Sequence, residues 1–266
     1  MSTGIERLSQ VFERSAERGK KALIPYLTAG DPDLETTGQL LLAARAGGAD
    51  IIELGVPFSD PMADGPVLQW AAERALKTGA NLKGILSMAA AFGEQADTPL
   101  ILFGYYNPFF RYGLEALAAD AAAAGICGVL CVDLPPEEAG PFHSALSSQG
   151  LALVPLLTPT SDASRVAMAQ KIASSFGYYV STTGVTGAKL TQHANIAERV
   201  REIRAQFGLP LVVGFGIRTP DDARSVAQWA DGVVVGSALV DLVHKTEAGK
   251  KANSVESFLH SLSEAV

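Results

Sequence analysis

Eight short runs of apolar and β-branched residues recur along the chain, at 22–27, 50–54, 100–103, 128–132, 151–156, 177–180, 211–214 and 232–235. Their apolarity is nearly continuous rather than alternating. That pattern predicts strands buried on both faces, as in a parallel sheet. Between them lie Ala-rich stretches with helical spacing, at 35–46, 114–124, 136–147, 163–173, 196–207 and 221–229. Capping residues, Pro and acids in the first turn mark several starts: Asp31-Pro32-Asp33, Ser161-Asp162 and Thr219-Pro220-Asp221-Asp222. Three further amphipathic segments stand outside the alternation, at 5–18, 82–92 and 254–262.

Eight strands, each followed by a helix and with no linker between them, predict a (β/α)8 barrel with an extra N-terminal helix. A chain of 266 residues suits one such domain over 1–266. A doubly wound sheet would place a Gly-rich turn after its first strand. Here that strand ends Leu27-Thr28-Ala29-Gly30-Asp31-Pro32, which is not that turn.

Composition narrows the function. With 48% hydrophobic and 18% charged residues, disorder is excluded as the main state. A formal net charge of -7 argues against nucleic acid as a partner. It leaves a phosphorylated substrate open, because backbone N–H groups bind phosphate without Lys or Arg. The apolar runs are strand-length and broken by Gly, Pro or Asp, so none is expected to span a membrane. The N-terminus is charged and lacks an apolar signal core, and cytoplasmic residence is expected. Cys127 and Cys131 sit four apart in one strand, ~13 Å, beyond the ~7 Å reach of a disulfide, and read as small core residues.

In such barrels the chemistry lies in the loops after the strands. The second loop runs Glu53-Leu54-Gly55-Val56-Pro57-Phe58-Ser59-Asp60-Pro61-Met62-Ala63-Asp64-Gly65-Pro66. Its prolines and glycines make it stiff. Glu53 lies inside the strand run, where a lone carboxyl is costly unless it is paired or functional. With Asp60 and Asp64 it forms an acid–base candidate, and the spacing matches no metal-ligand pattern. Later loops carry Gly184-Val185-Thr186-Gly187, Gly214-Phe215-Gly216 and Gly236-Ser237. Glycines at corresponding places let amides approach a phosphate, and Ser237 adds a hydroxyl. Phe103 to Phe110 is rich in aromatics that either line a pocket or cover the barrel top. Tyr178 and Tyr179 face opposite sides of their strand, so one faces inward. The polar stretch 186–195, with Lys189 and His193, suits a lid.

These residues resemble the tryptophan synthase alpha chain family. The second-loop signature carries the likeness, together with Tyr105-Tyr106-Asn107-Pro108, Gly184-Val185-Thr186-Gly187 and Gly214-Phe215-Gly216-Ile217 in that order. The likeness runs from the N-terminal helix to Gly236-Ser237. It implies a lyase that cleaves indole-3-glycerol phosphate to indole and glyceraldehyde 3-phosphate. It further implies a beta-chain partner in an alpha2-beta2 assembly, with pyridoxal phosphate held by that partner and no cofactor in this chain. A stand-alone lyase and a weak subunit that mainly activates a beta chain are the alternatives.

By the same resemblance Glu53 is the general acid–base and Asp64 the carboxylate for the indole nitrogen. Tyr178 is the active-site tyrosine, and Thr186 the lid threonine. Gly187, Gly216, Gly236 and Ser237 bind the substrate phosphate, and Tyr26 and Phe215 line the pocket. Asp60 and Pro61 belong to the partner interface. No metal is implied. Tyr26 departs from the family's Phe by adding a hydroxyl to an apolar wall, and Thr182-Thr183 departs from an Arg-containing pair.

Overall fold

In the computed structural model the apolar runs close into an all-parallel barrel. The structure describes residues 2–180, 190–214 and 216–266. The strands are β1 (Ala22–Thr28), β2 (Ile52–Gly55), β3 (Leu100–Gly104), β4 (Ile126–Cys131), β5 (Ala152–Val154), β6 (Leu156–Leu157), β7 (Gly177–Val180), β8 (Leu211–Gly214) and β9 (Gly232–Val235). They pair in the order β5-β4-β3-β2-β1-β9-β8-β7-β6. The fifth run is therefore two ladder segments rather than one strand. Pro155 has no N–H to give a ladder, so β5 pairs with β4 before it and β6 with β7 after it. The Pro155 carbonyl still accepts from the Tyr178 amide at 3.0 Å. The two ends of the pairing order are thus joined through one residue, and the eightfold barrel closes there.

The helices among the described residues are α1 (Gly4–Glu17), α2 (Leu34–Ala46), α3 (Pro66–Lys77), α4 (Leu82–Gly93), α5 (Tyr106–Tyr112), α6 (Leu114–Ala123), α7 (Gly140–Ser148), α8 (Ala163–Ile172), α9 (Leu190–Phe207), α10 (Pro220–Ala227), α11 (Ser237–Lys245) and α12 (Lys251–Ser263). The expected caps form: Asp33, Asp162 and Thr219 each accept a first-turn amide with the side chain. Helices α3, α5 and α11 follow segments read from the sequence only as loop chemistry. The segment from Leu190 to Asn195, read as part of a polar loop, is the first part of α9. Its polar composition concealed a run from 190 to 207 without Gly or Pro.

Alternation along each strand builds two apolar layers. Leu23, Leu54, Leu102, Val129, Tyr179, Val213 and Val233 pack outward among the helices. Ile24, Ile101, Leu130, Val154, Tyr178, Val212 and Val234 fill the interior. Tyr178 is therefore the inward tyrosine of its pair.

The N-terminal end of the barrel has a floor. Leu8, Val11 and Phe12 of α1 are buried and join the interior cluster. The rings of Phe12 and Phe176 stand 5.2 Å apart. Burying such a side chain contributes roughly 1.5–3 kcal/mol. A capping box at Thr3 and Glu6 starts the helix, and the Ile5 amide donates to the Gly150 carbonyl at 3.1 Å. Chemistry is thereby left to the opposite, open end. Cys127 and Cys131 are buried free thiols of β4.

Candidate active site

β2 delivers Glu53 into the barrel, opposite Tyr26 of β1 and Ile101 of β3 in the ladders. The residue is 1% exposed, and neither carboxyl oxygen has a hydrogen-bond partner among the described residues. Burial alone pushes its pKa well above the ordinary carboxyl value. This side chain therefore keeps its proton to higher pH than an ordinary glutamate, and among the described residues no hydrogen bond opposes that.

The loop after β2 returns Asp64 to the same opening. Asp64 is half-buried, and burial pushes its pKa up to about 6, against a lowering hydrogen bond from Tyr105. Tyr105 follows β3 and fastens this loop. Its hydroxyl accepts from the Ala63 amide at 3.0 Å and donates to Asp64, while its ring lies 5.4 Å from that of Phe58. The sequence places Tyr105 in an aromatic cluster but gives no sign of this tie. The Asp64 carbonyl accepts from Gln69 at 2.8 Å, which links it to the first turn of α3. The two carboxyls thus differ in surroundings: Glu53 is buried with no hydrogen-bond partner among the described residues, and Asp64, with a pKa of about 6, is ionised above neutral pH.

Two tyrosines complete the wall. Tyr26 meets Phe103 edge-on at 5.2 Å, and Phe103 meets Tyr178 edge-on at 6.4 Å. Each tyrosine lies over a glycine. A Cβ at Gly55 would run into the Tyr26 hydroxyl, and one at Gly214 into the Tyr178 hydroxyl. These glycines let large rings cross the barrel mouth. Burial raises the pKa of both phenols, and the nearby carboxylates add to the rise, so both remain neutral donors.

β9 borders β1 on the other side from β2 and ends at Val235, and Gly236 follows. Gly236 caps the N-terminus of α11, and exposed Ser237 is its first residue. A Cβ on Gly236 would stand 3.8 Å from the Tyr26 Cβ. Gly216, after β8, is exposed with φ +51. Amides and a hydroxyl at a helix start suit a phosphate. The structure therefore brings Glu53, Asp64, Tyr26 and Tyr178 together, with Gly236 and Ser237 beside them. Asp60 lies apart from this pocket. It is exposed on the loop, where it accepts from Ser59 at 2.5 Å, and Pro61 follows it. Thr186, Gly187, Lys189, Phe215 and the Thr182-Thr183 pair lie outside the described residues. Among the described residues no three His, Cys, Asp or Glu side chains converge as a metal site would require.

A family model for the tryptophan synthase alpha chain matches residues 12–266. The chain belongs to the tryptophan synthase alpha chain family. It is 51% identical over 262 residues to a tryptophan synthase alpha chain from Geobacter sp. (strain M21), covering 98% of both chains. Tryptophan synthase subunit alpha from Legionella pneumophila superposes with TM-score 0.91 at 40% identity, over 97% of each chain. A chain of the tryptophan synthase complex from Pyrococcus furiosus superposes with TM-score 0.83 at 35% identity, over 91% of this chain and 97% of that one. The reaction of this alpha chain family is cleavage of indole-3-glycerol phosphate to indole and glyceraldehyde 3-phosphate, a step of tryptophan biosynthesis. Among the described residues no helix is long and apolar enough to cross a membrane.

Proposed function

We propose that the chain, as one (β/α)8 domain over residues 1–266, performs this retro-aldol cleavage with Glu53 and Asp64 as its working pair. Glu53, in its acid form, protonates C3 of the indole ring. The ring becomes an indoleninium cation, and the Asp64 carboxylate stabilises its N1–H. The ionised Glu53 then takes the proton from the glycerol hydroxyl next to the scissile bond. That oxygen becomes the aldehyde carbonyl, the C–C bond breaks, and its electron pair returns to the ring. Glu53 ends protonated as it began, so one group serves both steps. Tyr26, Tyr178 and Phe215 line the indole side. Gly187, Gly216, Gly236 and Ser237 hold the phosphate, and Thr186 closes against the second loop. The observation that carries the reading is the buried Glu53 carboxyl, without a hydrogen-bond partner among the described residues, beside an Asp64 whose pKa is about 6.

The partner we propose is a tryptophan synthase beta chain in an alpha2-beta2 assembly, with pyridoxal phosphate bound by the beta chain and no cofactor in this one. The setting is cytoplasmic. Asp60 and Pro61 stand on the open face beside Met62, which is 91% exposed, and Phe110 of α5 on the neighbouring loop is 61% exposed. Two large apolar side chains in water at the barrel mouth favour a covering protein. The test is indole release from indole-3-glycerol phosphate by the purified chain, alone and with a beta chain. Release that rises on mixing, together with a complex on size-exclusion chromatography, is the expected result. An unchanged rate without a complex overturns the partner reading and leaves a stand-alone lyase; no release in either case overturns the assignment of roles.

A further inference from the structure

β1 carries a hydroxyl pair that the chemistry above does not use. Tyr26 and Thr28 are two apart on one strand, so they share a face, and both are buried. Thr28 donates through Oγ1 to the Tyr26 hydroxyl at 3.4 Å. The phenol oxygen is therefore occupied as an acceptor, and its own proton meets no protein acceptor among the described residues. A buried O–H left in this state is costly unless something else in the site takes it.

The position of Tyr26 limits what that is. It faces Glu53 across the β1–β2 ladder. It packs against Val67 and Leu68 in the first turn of α3, immediately after Asp64-Gly65-Pro66. On its other side is Gly236, at the phosphate end. The titratable groups whose charge reaches its phenol are Asp64 in the second loop, Glu53 on β2 and Tyr105 after β3; the neutral phenol of Tyr178 on β7 closes the far side. Gly55 leaves space for the hydroxyl where any side chain would displace it. The room is built for a phenol rather than for a plain ring.

We propose that Tyr26 is a positioning residue of the cleavage reaction: its O–H, oriented by Thr28, donates into the space between Glu53 and Asp64 and favours the ionised state of Asp64. The inference rests on the acid–base roles given above to those two carboxyls. A donor aimed at a carboxylate lowers its pKa, so Tyr26 opposes the burial that raises Asp64. Asp64 must be charged to stabilise the ring cation, and the donor widens the pH range over which it is.

The test compares wild type, Tyr26→Phe, Thr28→Val and the double variant, measuring kcat and KM for indole-3-glycerol phosphate across pH. In wild type the acid limb of kcat/KM falls near the Asp64 value of about 6. Tyr26→Phe is expected to move that limb up by about half a unit or more and to lower kcat about three- to tenfold below neutral pH, with KM little changed. Thr28→Val moves the limb the same way by less, Thr28→Ser restores it, and adding Thr28→Val to Tyr26→Phe has no further effect. A Tyr26→Phe limb that superimposes on wild type overturns the proposal, as does a loss confined to KM or strict additivity of the two changes. Tyr26→Phe keeps the ring, and thermal melts check that it folds. If wild type itself releases no indole, the reading of the site has failed; if wild type works and Tyr26→Phe matches it, only this inference has.

Discussion

The approach to β2 and the strand itself each present a carboxyl, and they are treated in opposite ways. Asp50, at the floor, accepts from the Leu23 amide at 2.8 Å. Burial raises its pKa, but that bond and the charges of Arg18, Arg14 and Lys20 oppose the rise. Glu53, three residues later at the mouth, has among the described residues neither a donor nor a cation to oppose its burial. Asp231 repeats the floor pattern before β9. It accepts from the Leu211 amide at 3.0 Å and holds Arg204 through two bonds of 2.7 and 2.5 Å. Carboxyls at the floor complete strand starts, whereas the carboxyl at the mouth is kept incomplete. In a close-packed barrel such an orphan persists only where its cost serves a reaction.

The largest effect separating the two ends is expected from Glu53→Gln. It removes proton transfer at C3 and at the hydroxyl, and turnover should fall by at least ~10²–10⁴-fold. Indole release measures it, and retention of more than about a tenth of turnover breaks the contrast. Stability should move the other way with pH. A carboxyl whose folded pKa is raised stabilises the fold fully below its ordinary 4.5 and loses that stabilisation as pH rises through the folded value. Wild type should therefore weaken relative to Glu53→Gln as pH is raised above 4.5. Denaturant midpoints of the two proteins across pH check the sign.

How much of this contrast the sequence reveals depends on the kind of signal. The apolar runs locate every strand, because burial on both faces leaves a mark in composition. Glu53 stands out for the same reason, as a charge inside such a run. Helix α3 was concealed because Pro66, which is its first residue, also ends a loop full of Pro and Gly. α5 has Pro108 and four aromatic residues within Tyr106–Tyr112, a composition with weak helical preference. α11 begins at Ser237 with no side-chain cap, so its start reads only as a Gly-Ser turn. The Tyr105 tie to Asp64 and the Thr28 bond to Tyr26 are pairings across or along strands. They depend on register and distance, which hydrophobic pattern does not encode. The same is true of the difference between Asp50 and Glu53: both are acids of the 50–54 run, and the positions of Leu23 and the floor cations separate them.

A second, smaller effect should be found at the floor alone. Asp231→Ala leaves the buried Leu211 amide without its acceptor, at a cost of about 1–3 kcal/mol. The lost ion pair with half-exposed Arg204 adds little, because solvent screens it. Denaturant unfolding should show the loss while kcat at saturating substrate stays at the wild-type value. A fall in kcat comparable with that of Glu53→Gln would mean that floor and mouth are not independent.

The smallest effect tests whether α1 serves only as the floor. Thr3 accepts from the Glu6 amide at 3.2 Å, and the Glu6 carboxylate accepts from the Thr3 amide at 2.8 Å. Two of the helix's free first-turn donors are satisfied by this exchange. Thr3→Ala removes one acceptor and loosens the other, and such caps are worth about 1 kcal/mol. In a chain of this size that is a fall of roughly 2–4 °C in Tm. The first turn leads directly to Leu8, Val11 and Phe12, so fraying there first weakens the seal on the barrel interior. Glu53 and Asp64 stand at the far end of the strands, and the stiff interior between them and α1 is close-packed. Thr3→Ala should therefore lower Tm and leave kcat, KM and the acid limb of the pH profile where they are in wild type. A shift in that limb would show that the floor helix tunes the mouth carboxyls through the core, and the division of labour between floor and mouth would then have to be abandoned.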